Sequence, residues 1–118
     1  MSNPEVTDKR IDAMIRHLLT DGTEAQKTQV AAIAKAALND LRPLRAQHRA
    51  ARKQGIKLLT QPTIDRAALE QVRASELQLA EQVSKRLTQA LADIAEVLTP
   101  EQRIRLGDRI TKRMGHAN

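Results

Sequence analysis

From Val30 to Leu58, positions four and then three residues apart are filled mostly by small or apolar side chains: Val30, Ala34, Ala37, Leu41, Leu44, His48, Ala51, Gly55 and Leu58. That spacing holds one stripe on one side of a helix and forms the seam of a packed helical pair. A strand, which alternates faces at every residue, cannot use it. The pattern predicts one long helix from about Glu24 to Leu59. Pro43 lies inside it and removes one backbone hydrogen bond, but the seam keeps its phase on both sides. A bend near Asn39 to Pro43 is therefore expected rather than an end.

The rest of the chain reads the same way. A short helix is predicted from about Asp8 to Leu19, with Ile11, Met14, Ile15, Leu18 and Leu19 on one face. Thr20-Asp21-Gly22 should close it, Gly22 taking a positive φ. After the turn Thr60 to Asp65, where Thr63 or Asp65 is the next cap, a third helix runs from about Arg66 to Leu98. Its inward residues are Leu69, Val72, Leu79, Val83, Ala90, Ile94 and Val97 or Leu98. A fourth runs from Pro100 to about Arg113 and carries Ile104, Leu106 and Ile110. The expected fold is all-α: a long bent helical hairpin with two short flanking helices, in one domain over 8–113, between a disordered tail at 1–7 and a second tail at 114–118.

The chain has 118 residues and no Phe, Tyr, Trp or Cys. Small aliphatics suit thin helix-on-helix seams, and two helices of about 50 Å at 1.5 Å per residue enclose little interior. A second copy covering the remaining apolar surface is expected, giving an antiparallel homodimer. Without cysteine there is no disulfide or thiolate chemistry. No stretch reaches the roughly 18 apolar residues of a membrane span, and the first ten residues are too polar for a signal peptide.

Two segments look like helix starts of one design. In Leu98-Thr99-Pro100-Glu101-Gln102, Thr99 is the cap, Pro100 fits the first helical position, Glu101 favours the positive end of the dipole, and Gln102 completes a capping box. A fainter copy, Thr23-Glu24-Ala25-Gln26, follows Leu19-Thr20 after an apparent insertion. These residues, with the segments 38–45 and 63–69, resemble the LTxxQ-motif family of small periplasmic helical proteins, the Spy and CpxP-like chaperones and related heavy-metal resistance and sensor proteins. The resemblance covers roughly residues 8–113.

It implies a bowed antiparallel dimer whose basic, partly apolar concave face holds unfolding proteins without ATP or any cofactor. It also implies a periplasmic location, and a sensor kinase as a possible partner. The sequence allows such a face. Net charge is +6, and from Leu41 to Leu59 six basic residues (Arg42, Arg45, Arg49, Arg52, Lys53, Lys57) occur with no acid. Arg42, Arg45, Arg49 and Arg52 fall on one stripe beside Leu41, Leu44 and His48. These residues, with Lys53, are the candidate client-binding set: cations draw in acidic segments, while stems and aliphatics meet apolar ones. The plainer reading of such a stripe is a solvated face.

Metal binding is the alternative function that the resemblance implies. The three histidines, His17, His48 and His116, form no His-x-x-x-His pair, and His17 with Asp21 is the weak candidate. A basic nucleic-acid binder is the second alternative, but no aromatic is present to stack bases and no short recognition helix follows a tight turn. No catalytic residue is expected: there is no phosphate-binding glycine loop, no thiol, and no serine near a histidine in sequence.

Overall fold

A computed structural model describes residues 4–116 and shows four helices: α1 Pro4–Leu18, α2 Glu24–Leu59, α3 Arg66–Val97 and α4 Pro100–His116. Among the described residues there is no strand, so the all-α expectation holds. The two outer helices are longer than the sequence suggested. α1 starts at Pro4 and not near Asp8, with proline at a first helical position and Glu5 in the first turn. α4 continues past Arg113 to His116. α2 runs unbroken through Pro43. Asn39, whose carbonyl loses its helical donor there, is exposed to water.

The helix ends at the three turns are closed by identifiable groups. α2 ends without glycine: the Lys57 carbonyl accepts from the Thr60 amide (3.3 Å), the Thr60 hydroxyl (3.0 Å) and the Gln61 side-chain amide (3.0 Å). Asp65, not Thr63, caps α3, its Oδ1 accepting from the Ala68 amide at 3.0 Å. At the α1–α2 turn the expected positive φ at Gly22 is absent. Gly22 instead donates to the Leu19 carbonyl at 3.0 Å. A Cβ there would stand 3.3 Å from that oxygen and 3.4 Å from Leu19 Cβ. Close approach, not handedness, is what asks for glycine.

The chain divides into two compact units. The first comprises Met1–Ala36 and Ala90–Asn118. Ile11 and Ile15 on the inner stripe of α1 and Leu19 just past its end are buried, as are Val30, Ala31, Ala90 and Leu98. The second, Ala37–Gln89, is a two-helix hairpin whose buried apolar residues are Ala37, Leu41 and Leu79. Leu44, Ala51, Gly55, Leu58, Leu69, Val72 and Val83 are half-buried along it. Two helices cannot enclose a side chain on every side, so this seam stays partly wet. Its edges are braced by an ion pair, Arg86 to Asp40 at 2.7 Å, and by a hydrogen bond between His48 and Glu76 at 2.6 Å.

At the heart of the first unit both capping boxes form, and they join. The Thr23 amide donates to Gln26 Oε1 at 2.9 Å and the Gln26 amide to Thr23 Oγ1 at 3.1 Å. The Thr99 amide donates to Gln102 Oε1 at 2.9 Å and the Gln102 amide to Thr99 Oγ1 at 3.2 Å. The two side-chain amides then exchange hydrogen bonds face to face. Gln26 Nε2 donates to Gln102 Oε1 at 2.8 Å, and Gln102 Nε2 to Gln26 Oε1 at 3.1 Å. Their remaining protons go to the Val97 and Asp21 carbonyls, at 3.2 and 3.3 Å. Each amide thus uses two donors and two acceptors, which is why Gln102 can be buried.

Three measurements follow from this geometry. Thr99→Ala should lower unfolding free energy by about 1 kcal/mol in urea, the worth of one cap. Gln102→Glu keeps an oxygen for the cap but removes two donors and sets a carboxylate against the Gln26 and Asp21 oxygens. It should cost about 2–4 kcal/mol, more than Thr99→Ala, and part of that loss should recover as acid protonates the new group. At Gly55, in mid-helix, a Cβ would meet Val72 Cγ1 at an ordinary 3.9 Å. Gly55→Ala should therefore stabilise by roughly 0.5–1 kcal/mol.

Candidate functional site

The second unit carries most of the protein's excess charge. It holds ten basic residues against five acidic ones, +5 of the total of +6. All five carboxylates are engaged. Glu70 pairs with Arg73 at 2.6 Å, Asp40 with Arg86 at 2.7 Å and Glu81 with Lys85 at 3.3 Å; Glu76 meets His48, and Asp65 caps α3. The Arg73 guanidinium holds the Glu70 carboxyl below its ordinary pKa, and Glu70 raises Arg73 in return. Among the described residues none of Arg42, Arg45, Arg49, Arg52, Lys53 and Lys57 pairs with a carboxylate. The α2 cations keep their full attraction for an outside anion.

Arg45, Arg49, Arg52 and Lys53 are exposed, and Arg42 is half-buried. Leu44 is half-buried beside them. Leu41 stands differently: at 2% exposed it is the most deeply buried side chain of the hairpin and cannot touch a partner. His48 leaves the seam position its spacing suggested. Half of its side chain is exposed, and Nδ1 lies 2.6 Å from Glu76 Oε1. An imidazole gains more from a carboxylate at the seam's wet edge than from unpaired burial among aliphatics.

The sequence reading missed the apolar part of this surface. Ile56, 62% exposed, lies four residues beyond Arg52 on the same face, and Leu59 and Ile64 are exposed around the hairpin turn. The signal was present: Ile56 falls out of phase with the seam positions Gly55 and Leu58, so an isoleucine there had to point outward. The surface therefore combines unpaired guanidinium groups with aliphatic side chains, a pairing that attracts acidic and apolar segments together.

The remaining motif residues build structure. Thr23, Gln26, Thr99, Pro100, Glu101 and Gln102 start helices, and Leu98, 3% exposed, is core. Leu19 is also core at 3%, so the apparent insertion after Leu19-Thr20 separates a buried leucine from its cap. Asp21 serves arginine. Its carboxylate receives Arg105 at 2.5 Å and faces Arg109 at 3.9 Å, and the Arg105 hydrogen bond holds its pKa below the ordinary value. Two guanidinium groups at that carboxylate repel a metal cation, so the His17–Asp21 pairing has lost its acidic half. Arg109 also donates to the Leu18 carbonyl, and Arg103 to the Ala95 carbonyl at 2.6 Å. Cations of α4 thereby close the C-terminal ends of α1 and α3. Among the described residues no group of three or more histidine or acidic side chains converges as metal ligands. The His116 side chain lies outside the described residues.

A family model described as heavy-metal resistance matches residues 2–105. No curated protein and no solved structure gives a significant match.

The Asp21–Arg105 contact sets a pH dependence. A carboxyl whose pKa is lowered on folding stabilises the fold above its unfolded value, about 3.9, and that contribution is lost as pH falls through the lowered folded value. Melting temperature should fall below about pH 4, and in Asp21→Asn the acid limb should be shallower. An identical acid limb in the variant would show that other carboxylates set it.

Proposed function

Because this chain belongs to the heavy-metal resistance family, which includes the LTxxQ Spy and CpxP-like periplasmic proteins, we propose that it is an ATP-independent holdase of the cell envelope. Its client surface is the exposed α2 face of the second unit: Arg45, Arg49, Arg52 and Lys53, with Arg42, Leu44, Ile56 and Leu59 beside them. The observation that carries this reading is the commitment of every carboxylate in that unit elsewhere, which leaves the α2 cations free beside exposed aliphatics. Such a surface binds without a shaped pocket, so it takes many sequences weakly and releases them without nucleotide. Acidic stretches of a client meet guanidinium groups first, at rates that salt reduces. Apolar stretches then meet Ile56 and the methylene stems.

The periplasm is the compartment that suits this family, and among the described residues no helix is long and apolar enough to cross a membrane. A homodimer is part of the proposal, supported by Leu77 and Leu87 of α3, large hydrophobic residues that one copy leaves exposed. A sensor kinase with an acidic docking surface is the regulatory partner that the same chemistry suits.

The family description favours metal as the second reading. The one histidine–carboxylate contact among the described residues, His48 with Glu76, sits beside the arginine stripe. A metal site there would have to draw further ligands from another chain and overcome the neighbouring positive charge.

The deciding experiment is light scattering of a chemically denatured client diluted into buffer with and without stoichiometric protein, without ATP. Suppression of aggregation is expected, weaker in high salt and reduced at least about tenfold per folded molecule in the triple variant Arg45→Glu, Arg49→Glu, Arg52→Glu. Full suppression by that variant, folded and with unchanged oligomeric state, would falsify the assigned surface. Suppression that appears only with added zinc or copper would favour the metal reading.

A further inference from the structure

The first unit contains a recess that the holdase reading does not use. It is about 250 Å³ in volume and is lined entirely by aliphatic side chains and one thioether, among them Met14, Ile15 and Leu18 of α1, Leu91 and Ile94 of α3 and Ile110 of α4. Three of these stay open to water: Met14 is 51% exposed, Leu91 65% and Ile110 41%. A soluble fold gains nothing by leaving such a concave apolar strip wet. A second hollow shares Leu18 with this recess and is lined besides by His17, Arg109, Lys112 and Arg113. Arg109 is partly spent there on the Leu18 carbonyl. Lys112 and Arg113 are exposed, and neither pairs with a carboxylate among the described residues.

An aliphatic recess that ends at a cluster of cations has the form of one class of ligand. The geometry points to a binding site for a free single-chain anionic amphiphile, such as a medium-chain fatty acid, its chain between α1, α3 and α4 and its carboxylate at Lys112 and Arg113. Charge complementarity selects this occupant. A bilayer is too broad to enter a recess, and it is engaged by apolar side chains that protrude. A single alkyl chain fills the recess and brings the one charge that the cations lack.

The test is calorimetric titration of the whole protein with decanoate below its micellar concentration, with neutral decyl maltoside as comparator. The expected result is one decanoate per chain, a raised melting temperature, and preference for decanoate over the maltoside. The double variant Lys112→Glu, Arg113→Glu alters only exposed side chains, and it should weaken decanoate about tenfold or more while leaving the maltoside unchanged. Met14→Trp, at a half-open position, should fill the recess and abolish both. Absence of decanoate binding would overturn the inference, as would equal decanoate affinity in the charge-reversed variant. So would loss of helical signal on titration. Co-sedimentation with phosphatidylglycerol vesicles in place of decanoate binding would assign the face to a membrane. Exclusion of ligand as the protein self-associates would assign it to a second copy.

Discussion

The exchange of hydrogen bonds between Gln26 and Gln102 is the contact on which the first unit depends. A capping box normally finishes a local task, supplying acceptors to amides that a helix start leaves bare. Here each box ends in a primary amide, and the amides have donors left over once their oxygens have served the caps. Those donors satisfy one another's oxygens and two backbone carbonyls, so the starts of α2 and α4 are fixed together by fully paired polar groups. Glutamate would cap either helix as well, but two carboxylates could not face each other. The pairing gives a physical reason for glutamine at both fourth positions of the repeated Thr-x-x-Gln.

Around that lock, α4 acts as a set of cationic clasps. Arg103 and Arg109 take carbonyls at the ends of α3 and α1, and Arg105 takes the carboxylate of Asp21 in the turn between α1 and α2. Arginine suits the work because its guanidinium stays charged and donates in several directions. The basic residues of the two units therefore differ in use. Those of α4 at these positions are consumed by the fold, whereas the arginines along the α2 face of the hairpin meet no acid, because the nearby carboxylates are engaged by Arg73, Arg86, Lys85 and His48 and by the cap of α3.

Much of the fold was legible because it rests on local rules. The phase of the seam gave α2 its bounds. Thr-x-x-Gln gave two helix starts, and Asp65 was one of two stated candidates for the third. The misreadings came where a residue had two local solutions and tertiary contact chose between them. Gly22 had turn chemistry that suits positive φ, yet packing against Leu19 is what it provides. His48 had seam spacing, but Glu76 across the hairpin held it at the edge. Of the apolar residues that α4 carries, Ile104 and Ile110 are exposed, because the inner face of α4 is given to Gln102, Leu106 and Arg109.

The sequence by itself determined the class of structure: aliphatic periodicity without aromatics admits helices and thin seams, and paired caps set where those helices begin. It also determined that the excess positive charge lies in the α2 half of the hairpin. Only the tertiary structure decided which cations remain free, because Asp40 and Glu76 take their partners across the seam, while Glu70 and Glu81 pair within α3. It alone decided that two capping boxes more than seventy residues apart share one hydrogen-bonded centre. Local propensity is written in neighbours three and four residues away, whereas the pairing of Gln26 with Gln102 exists only once the chain has folded back on itself.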